Sequence, residues 1–492
     1  MTKLRSKILQ ITLIVLSVIL FSAAAINAQI DKQLKEKKNV IFILSDDHRY
    51  DAMSFMHFND FLKTPNMDKM AKEGIHFKNA FVSTSLCSPS RASILTGMYA
   101  HQHGVVDNMS PVPEDLTYFP QYLQKLGYET AFIGKWHMGE VQGDASPRKG
   151  FDKWISFKGQ GQYYDPELNI DGKTVKVKGY ITDILTDYAI EWMKQKRDKP
   201  FFLYLSHKAV HALFKPAPED KGRFENEKVP HPASMANTPE NYKDKPRWVK
   251  EQRNSWHGVD YMYYGEYDFD SFYKRYCETL ESLDRNVGRI IDYTENAGIA
   301  DNTIIFYMGD NGFMFGEHGL IDKRQMYEES IRVPLLAYSP GNLKAGTVID
   351  QMVLNIDIAP TILDIAGMKE KPKQMIGLSF YPLMKNEKTD WRKEFYYEYY
   401  WERAFPQTPT TFGVRTDKYK YIFYHGIWDI NELYDLENDP HEMHNLANKP
   451  EYKKLVDEMD KKLFDWLEKT NGMQIPLRRG PDYIKNERGP KK

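Results

Sequence analysis

Residues 39–48 read NVIFILSDDH, an uninterrupted apolar run that leads directly into a group of polar side chains. Similar apolar runs at 129–135, 200–206 and 302–309 also lead into polar residues, and a fifth at 333–339 is interrupted near its start by a proline. Apolar runs without alternation are typical of strands buried on both faces, as in a mainly parallel sheet covered by helices. We therefore predict that residues 39–45 form the first strand of such a sheet.

Helical patterns separate these runs. Residues 64–74 combine an N-cap threonine, a proline at the first helical position and a closing glycine, and residues 276–298 carry apolar side chains at helical spacing. Near the C-terminus, alternation at 412–424 indicates antiparallel strands, and residues 453–470 have a helical pattern. We predict an α/β fold in which helices sandwich a large mixed, mainly parallel sheet, followed by a small C-terminal antiparallel sheet with a helix.

The polar residues that follow the apolar runs form an informative pattern. Open α/β sheets bind ligands at the carboxyl ends of their strands, so these groups are expected to converge. The pairs that follow the first four runs are Asp46 and Asp47, Lys135 and His137, His207 and His211, and Asp310 and Asn311. A single group of this kind has an ordinary explanation, such as a turn or a cap. Four groups at one edge of a sheet indicate a functional site.

The residue types at this edge predict a metal ion and an anion. Asp46, Asp47, Asp310 and Asn311 offer hard oxygen atoms, which suit Ca²⁺ or Mg²⁺ better than zinc, and three carboxylates would repel one another without a cation. The positive or protonatable side chains are Arg91, Lys135, His137, His211 and Lys323. A metal ion with such a ring of cations is suited to a multiply charged oxyanion, either phosphate or sulfate.

Residues 85–97, SLCSPSRASILTG, predict a short helix at 89–96, because Ser88 can cap it, a proline occupies its first position and a glycine follows it. Its N-terminus offers free amides and a partial positive charge to an anion, with Cys87 just outside that end. Two ordinary alternatives are a buried structural cysteine and a disulfide between Cys87 and Cys277, the two cysteines of the chain.

The segment from Cys87 to Gly97 resembles the signature C-x-P-S-R-x-x-x-L-T-G of the type I sulfatases. Other segments that are similar to family members are NVIFILSDD, GKWHMG, SHKAVH, GDNGFMFGEHGLIDK and ELYDLENDPHEMHNLA, so the resemblance covers nearly the whole mature chain. It implies the alkaline-phosphatase-like sulfatase fold. It also implies that a separate formylglycine-generating maturation enzyme oxidises Cys87 to Cα-formylglycine.

The resemblance further implies a metal site and a nucleophile. Asp46, Asp47, Asp310 and Asn311 would hold one Ca²⁺, which the hydrated formylglycine at position 87 would also contact. One oxygen of that hydrate would attack the sulfate ester and give a sulfo-enzyme intermediate.

The remaining roles implied by the resemblance belong to cationic side chains. Arg91 and Lys135 would orient the hydrate. Lys323 and His211 would contact sulfate oxygens, and one of them would protonate the leaving oxygen. His137 would be the base that removes a proton from the hydrate and expels sulfate.

Two other histidines are assigned differently. His207 follows the same apolar run as His211 but matches the family position less well, so we expect a structural or substrate-contacting role. His318 lies near Lys323 in the sequence and could line the substrate pocket, but we place it outside the catalytic set.

The N-terminal sequence and the overall charge predict where the protein is located and which partner it lacks. Residues 1–28 predict a signal peptide, because basic residues precede a short apolar run and small residues follow it. The run is too short to span a bilayer comfortably, so we expect an exported periplasmic or secreted protein without stable membrane insertion. The 67 Lys and Arg residues nearly balance the 68 Asp and Glu residues, so nucleic acid is not an expected partner. We expect a catalytic domain at 36–385, a C-terminal subdomain at 386–475 and a tail at 476–492.

The expected function is hydrolysis of sulfate esters on a carbohydrate. Export and an aromatic segment at 241–275 favour a sulfated polysaccharide or its oligosaccharides. The segments SHKAVH and DNGFMFGEHG resemble those of bacterial polysaccharide sulfatases, and this resemblance places an algal polysaccharide such as ulvan first and a glycosaminoglycan next. The aromatic rings of that segment have two interpretations, stacking on sugars or packing in a satellite hydrophobic cluster. The alternative functions are a phosphodiesterase or phosphonate monoester hydrolase of the same superfamily, and a non-catalytic protein that binds sulfated glycans.

Overall fold

The apolar run at 39–45 forms a strand near the middle of a ten-stranded sheet in a computed structural model that describes residues 37–139 and 145–475. The strands in chain order are β1 (Asn39–Ser45), β2 (Ile75–Phe77), β3 (Ala80–Phe81), β4 (Glu129–Lys135), β5 (Lys153–Phe157), β6 (Glu167–Ile170), β7 (Lys173–Lys176), β8 (Phe201–Ser206), β9 (Thr303–Gly309), β10 (Met314–Phe315), β11 (Ile321–Asp322), β12 (Leu335–Tyr338), β13 (Thr347–Ile349), β14 (Val353–Leu354), β15 (Glu394–Tyr399), β16 (Thr410–Thr416), β17 (Tyr419–His425) and β18 (Glu432–Asp435).

The α-helices lie between these strands and at the C-terminal end. In chain order the helices are α1 (Pro65–Glu73), α2 (Cys87–Thr96), α3 (Ala100–His103), α4 (Phe119–Lys125), α5 (Ile181–Met193), α6 (Pro239–Tyr242), α7 (Arg247–Gln252), α8 (Phe269–Asn296), α9 (Glu328–Ile331), α10 (Ile358–Ile365), α11 (Tyr381–Met384) and α12 (Lys453–Lys469).

The large sheet is mixed and mainly parallel, which confirms the predicted fold class. Its order is β13-β2-β12-β9-β1-β8-β4-β5-β6-β7, and the five central strands from β9 to β5 run parallel to one another. The fifth apolar run forms β12, which is antiparallel to β9 and begins only at Leu335, after Pro334. Proline lacks the N–H that a strand within a sheet donates, so it stays outside the strand.

Both faces of the sheet are covered, which explains the absence of alternation in the strand sequences. On one face Ile41 and Ile43 pack in a hydrophobic core with residues of α5 and α8. On the other face Val40, Phe42 and Leu44 pack with residues of α4 and α10. Because each residue from Val40 to Leu44 meets apolar side chains on its own side, none of these five positions favours a polar residue.

The C-terminal part forms the expected small sheet with a helix. Strands β15 to β18 are antiparallel neighbours in chain order, and α12 packs buried apolar side chains in the same hydrophobic core as this sheet. Buried ion pairs connect the sheet to α9, where the Nζ of Lys420 lies 3.1 Å from Oε1 of Glu328. The domain boundaries near 36, 385 and 475 remain predictions, and the expected signal peptide (1–28) and tail (476–492) lie outside the described residues.

Two predicted helices begin earlier than expected. The helix expected from residue 276 is α8, which begins at Phe269 because the Asp268 side chain caps it by accepting a hydrogen bond from the Ser271 amide at 2.9 Å. The helix expected at 89–96 is α2, which begins at Cys87. Ser88 is therefore not its cap, and the Ser88 hydroxyl instead donates to the carbonyl of His137 at 2.7 Å.

The aromatic segment before α8 is mostly packed inside the protein. Tyr263 belongs to the hydrophobic core, and the Trp256 ring packs against the Tyr263 ring with the two centroids 4.2 Å apart. Tyr261 and Tyr264 are exceptions, with 47% and 67% of their surface exposed. Among the helices of the described residues, none has the length and apolar character needed to cross a bilayer.

Candidate active site

The topology brings three strand ends together at one edge of the sheet. Strand β1 lies between β9 and β8, so Asp46 and Asp47 lie between the residues that follow those two strands. The Asp310 amide donates to the Ser45 carbonyl at 2.9 Å, and the Asp46 amide donates to the Ala209 carbonyl at 3.0 Å. These backbone hydrogen bonds fix the relative positions of the polar groups that were predicted to converge.

Three buried carboxylates form a cluster at this edge. Single carboxylate oxygens of Asp46, Asp47 and Asp310 all lie within 4.8 Å of one another. Asn311 donates from Nδ2 to Oδ1 of Asp47 at 2.7 Å, while its own Oδ1 is buried and has no hydrogen-bond partner in the described structure. Three converging carboxylate oxygens, together with an unsatisfied amide oxygen on the neighbouring Asn311, fit a hard cation such as Ca²⁺.

The protonation of the three carboxylates differs. Burial raises the pKa of Asp47 to about 7, although Lys323 opposes the shift, and Asp46 adds to it. Burial and the Asp46 charge raise the pKa of Asp310 to about 6. Burial would also raise the pKa of Asp46, but Lys135 and the other cations hold it well below its ordinary value. A bound cation would stabilise the charged form of all three carboxylates.

Cys87 lies at the first position of α2, beside this cluster. Its side chain is fully buried, and its Sγ donates to Oδ1 of Asp46 at 3.4 Å. Burial and the negative charge of Asp46 raise the pKa of the Cys87 thiol well above its ordinary value. The unmodified thiol is therefore protonated and is a poor nucleophile, because the thiolate is the reactive form. No disulfide joins it to Cys277, since both cysteines are free and buried.

Arg91 and Lys135 connect the cysteine helix to the carboxylates. Arg91 donates from Nε to Oδ2 of Asp310 at 2.9 Å, and from Nη1 to the Lys135 carbonyl at 2.6 Å and to Oγ of Ser206 at 2.7 Å. The Lys135 ammonium pairs with Asp46. Both cations are therefore held in place by buried groups, which is the arrangement expected of residues that orient a reacting group.

Gly134 allows Lys135 to reach this position. A Cβ atom at residue 134 would lie 1.8 Å from the carbonyl oxygen of Ser206, so only glycine fits between β4 and β8 there. Its φ of +126° lies in the region that disfavours other residues.

Lys323 and His211 both approach Asp47, and they come from two different segments of the chain. The Nζ of Lys323 lies 2.7 Å from both carboxylate oxygens of Asp47, and 3.1 Å from Oδ1 of Asp322. Burial alone would lower the pKa of Lys323, but Asp322 and Asp47 raise it well above its ordinary value. The Nε2 of His211 lies 3.7 Å from Oδ2 of Asp47, and burial together with the charge of Lys135 lowers the pKa of His211 well below its ordinary value.

Gln160 is a site residue that no sequence pattern indicated. Its Oε1 accepts from the Nζ of Lys135 at 2.5 Å, so its Nε2 is free to donate to Nε2 of His137 at 3.1 Å. An amide donor at Nε2 leaves the proton of neutral His137 on Nδ1 and makes Nε2 the acceptor. Gln160 thus orients the histidine that was predicted to act as a base.

Several residues of the site have unusual backbone conformations. Asp47 and His137 have φ angles of 55° and 53°, in the left-handed region that non-glycine residues rarely adopt. Asp322 and Arg324, on either side of Lys323, have φ angles of 80° and 100°. Such conformations cost about 1–3 kcal/mol each and cluster at functional sites, where surrounding contacts hold them.

The two other histidines lie apart from the convergent groups. His207 is fully buried, and neither of its ring nitrogens has a hydrogen-bond partner in the described part of the chain. Burial lowers its pKa to about 3, so it is neutral. His318 is also buried, with its ring 4.3 Å from that of Tyr327.

A second buried network adjoins Lys323 and was also missed from the sequence. Asp322 accepts from Nη1 of Arg324 at 3.0 Å, and its Oδ2 lies 3.0 Å from Nε2 of His257. Arg324 in turn donates from Nε to Oε2 of Glu402 at 2.7 Å. Asp322 stands next to Lys323 in the sequence, and that adjacency was the available signal. His257 and Glu402 come from distant segments that gave none.

Comparison with known proteins supplies the family. The model of the sulfatase family matches residues 38–368, and that of the N-sulphoglucosamine sulphohydrolase C-terminal region matches residues 316–469. A relative described as N-acetylglucosamine-6-O-sulfatase, from Bacteroides thetaiotaomicron, is 37% identical over 497 residues, which cover 89% of this chain and 87% of the relative.

Solved structures agree with this similarity. A structure described as a complex with its substrate D-glucosamine-2-N,6-O-disulfate has a TM-score of 0.79 and 34% identity, and the match covers 90% of this chain and 100% of the other. A phosphonate monoester hydrolase of Agrobacterium radiobacter has a TM-score of 0.73 at 21% identity, covering 88% and 96% of the two chains, and shares the fold. The predicted family and the alkaline-phosphatase-like fold class are confirmed.

Proposed function

Because this chain belongs to the sulfatase family, we propose that it is an exported enzyme that hydrolyses sulfate esters of a carbohydrate, with 6-O-sulfated glucosamine units as its preferred substrate. The observation that carries the proposal is the convergence of Cys87, Asp46 and the surrounding cations at one edge of the sheet. The sequence alone placed an algal polysaccharide such as ulvan first. The names of the similar proteins favour glucosamine sulfates, as found in glycosaminoglycans, over ulvan.

Exposed aromatic rings near the site support a carbohydrate substrate. The contacts lead outward from Lys323 through Asp322 to His257, whose ring lies 4.7 Å from that of Trp256. The Trp256 ring is in turn 6.2 Å from that of Tyr264, which is 67% exposed. A ring at the rim of the site offers a flat apolar face on which a sugar next to the sulfated one would stack.

One metal ion belongs to the proposal. Asp46, Asp47, Asp310 and Asn311 would hold a single Ca²⁺, since they present hard oxygen atoms and the Oδ1 of Asn311 lacks a partner in the described structure. When bound, the ion would polarise a sulfate oxygen and favour the ionised form of the adjacent nucleophile.

Cys87 is proposed to be converted to Cα-formylglycine by a separate maturation enzyme. The hydrated aldehyde would supply one hydroxyl for attack and a second one for releasing sulfate, which an ordinary alcohol lacks. The unmodified thiol is protonated and buried, so it is unsuited to attack by itself. Arg91 and Lys135, fixed by Asp310 and Asp46, would orient the nucleophile.

Three further side chains would handle sulfate and protons. Lys323 and His211 would contact sulfate oxygens, and one of them would donate a proton to the leaving oxygen. His137 would act as the base through Nε2, the ring nitrogen that the hydrogen bond from Gln160 leaves unprotonated.

Sulfate release from defined sugars tests the proposal. The protein should be produced together with a formylglycine-generating enzyme and supplied with Ca²⁺, N-acetylglucosamine 6-sulfate, glucosamine 2-N,6-O-disulfate and ulvan oligosaccharides. We expect sulfate release from the glucosamine sulfates, no activity in Cys87→Ala, and retained activity in Cys277→Ser as the matched control. Mass spectrometry of the peptide that ends at Arg91 should show the aldehyde or its hydrate.

Other outcomes would contradict the proposal. An intact thiol at Cys87 in active protein would exclude the formylglycine mechanism. Hydrolysis of a phosphonate monoester with no action on any sulfated sugar would place the protein with its phosphonate-hydrolysing structural relatives. Export is tested separately by N-terminal sequencing of the protein from the periplasm or medium, where loss of about the first 28 residues is expected.

A further inference from the structure

Lys208 is a buried cation of the site that the proposed mechanism does not use. It follows β8, and its neighbours are bonded to the end of β1: the Asp46 amide donates to the Ala209 carbonyl at 3.0 Å, and the Val210 amide donates to the Asp46 carbonyl at 2.8 Å. Only 5% of the Lys208 surface is exposed. The backbone therefore fixes this lysine beside the carboxylate cluster.

Lys208 differs from the other buried cations at this edge because no carboxylate of the described residues forms an ion pair with it. Arg91 pairs with Asp310, Lys135 with Asp46, and Lys323 with Asp47. Within residues 37–139 and 145–475, the Lys208 side chain makes no hydrogen bond or ion pair, and its Nζ lies 4.7 Å from the centroid of the Tyr163 ring. The face of an aromatic ring attracts a cation but does not neutralise it.

The position of this ring is itself fixed. The Tyr163 hydroxyl donates to the carbonyl of His211 at 2.7 Å, so the ring is anchored to the loop that carries both Lys208 and His211. Lys208 is therefore held by its backbone and by the ring beside it, and its charge is left for a group that enters the site.

The energetics of burial point in the same direction. Burial, followed by the charge of Lys135, lowers the pKa of Lys208 to about 7. A buried ammonium without an anion is costly, and an anion that enters the site would remove that cost and keep the lysine charged. Asp46 and Asp47 oppose this lowering of the pKa through their charges. Among residues 37–139 and 145–475, however, no carboxylate pairs directly with Lys208, whereas Arg91, Lys135 and Lys323 at the same edge each have one.

We propose that Lys208 binds a sulfo group of the substrate, which supplies the direct ion pair that the nearby carboxylates make with Lys135 and Lys323 instead. The inference rests on the proposed sulfatase function and extends it by one substrate-binding residue. The sulfo group is either the ester that is cleaved or a second one on the same sugar. In both cases the ammonium donates charge-assisted hydrogen bonds to sulfate oxygens.

Substitution of Lys208 by methionine tests this inference, because methionine keeps a similar length and removes the charge. Lys215→Met is the matched control, since Lys215 lies on the same loop and is exposed. The measurement is kcat and KM for N-acetylglucosamine 6-sulfate and for glucosamine 2-N,6-O-disulfate. We expect kcat/KM of Lys208→Met to fall about 10- to 100-fold, the range of a hydrogen bond to a charged group, and Lys215→Met to stay within twofold.

The two substrates distinguish the two positions of the sulfo group. A loss on both substrates assigns Lys208 to the sulfate that is cleaved. A loss on the disulfate alone assigns it to the second sulfo group. Equal kinetics of Lys208→Met and Lys215→Met on both substrates would overturn the inference.

Thermal unfolding separates substrate binding from a structural role. Removal of an unpaired buried charge should raise the Tm of Lys208→Met while its kcat/KM falls. If the role of Lys208 were structural, Lys208→Met would lower Tm. In that case Lys208→Arg, which retains the charge, would have a kcat/KM as low as that of Lys208→Met. Recovery of kcat/KM by Lys208→Arg is expected if the charge matters.

A binding measurement without turnover makes the inference independent of the proposed substrate. Sodium sulfate, compared with sodium chloride at equal ionic strength, should raise the Tm of the wild-type protein more than that of Lys208→Met. If the enzyme releases sulfate from no sugar but this difference is present, the proposed function fails and the anion-binding role of Lys208 remains supported. Equal sulfate effects in both proteins would overturn the role of Lys208.

Discussion

Lowering the pH from 8 to 6 should weaken Ca²⁺ binding to the cluster of Asp46, Asp47 and Asp310 about 20-fold. The reason is competition between protons and the metal ion. Burial raises the pKa of Asp47 to about 7 and that of Asp310 to about 6, whereas Asp46 stays ionised. Because metal ligands must be deprotonated, the ion has to displace the protons that these two carboxylates hold at low pH.

The magnitude follows from the two pKa values. At pH 6, deprotonation costs about 1.4 kcal/mol at Asp47 and about 0.4 kcal/mol at Asp310, while at pH 8 the sum is below about 0.1 kcal/mol. The difference of about 1.8 kcal/mol corresponds to the 20-fold change in Kd. The affinity for Ca²⁺ falls as the pH falls, because carboxyl groups with raised pKa values are protonated, and so compete with the ion, only below those pKa values. The same values predict release of about 1.4 protons per ion at pH 6 and about 0.1 at pH 8.

Isothermal titration calorimetry of protein stripped with EGTA provides the assay. Titrations at pH 6, 7 and 8 in pairs of buffers with different ionisation enthalpies give both Kd and the number of released protons. Asp187→Asn, which changes a mostly exposed carboxylate, is the control and should follow the wild type. A Kd that is the same at pH 6 and 8, or an absence of proton release at pH 6, would refute the assignment of these carboxylates as the metal ligands.

Three further predictions concern the rim of the site and the attachment of the C-terminal sheet. Tyr264→Ala should raise KM for a sulfated oligosaccharide about 2- to 12-fold, the value of one aromatic contact, and leave KM for the monosaccharide within twofold. Trp428→Ala, at another exposed ring, is the control, and equal effects in steady-state kinetics would exclude a specific platform. His101→Gln should lower Tm more at pH 6 than at pH 9. The Nδ1 of His101 lies 2.8 Å from Oε2 of Glu398. Burial alone would lower the pKa of His101, but Glu398 raises it overall, so this ion pair stabilises the protein at low pH and is lost as the pH rises through the raised pKa. Equal losses of Tm at pH 6 and pH 9 would contradict this. Lys420→Met should cost about 3–5 kcal/mol in chemical denaturation, because it leaves the buried Glu442 without the cation that pairs with it, although Glu328 keeps Arg415. A loss below about 1 kcal/mol would contradict that role.

The sequence predicted the central strands because burial on both sides affects every residue of a strand. In β1, Ile41 and Ile43 meet one core while Phe42 and Leu44 meet the other, so the run is apolar throughout. The start of α8 was placed too late for a related reason. The prediction began at the first residues with regular apolar spacing, whereas the helix begins where the Asp268 side chain satisfies a free amide.

The convergence of the site was predictable because it depends on strand direction alone. Residues that follow parallel neighbouring strands lie at the same edge of the sheet, and Asp310 and His211 each approach Asp46 there. Gln160 and His257 were not predictable in this way. Each reaches the site from a loop whose course depends on tertiary packing, and nothing in the local sequence distinguishes it from other polar loop residues.

Charge balance would couple the binding of the proposed metal ion to the binding of the proposed sulfated substrate. Asp46, Asp47 and Asp310 carry three negative charges when ionised, and the paired cations Arg91, Lys135 and Lys323 cancel them. A divalent cation added to this balanced set leaves an excess of positive charge in a buried region, which an incoming sulfate group reduces. The affinity for sulfate should therefore rise when Ca²⁺ is bound, and by linkage sulfate should raise the affinity for Ca²⁺ by the same factor. Lys208, which has no ion-pair partner among the described residues, increases this excess of positive charge at the same edge of the sheet. The site should therefore bind a sulfated sugar much more tightly than a neutral one.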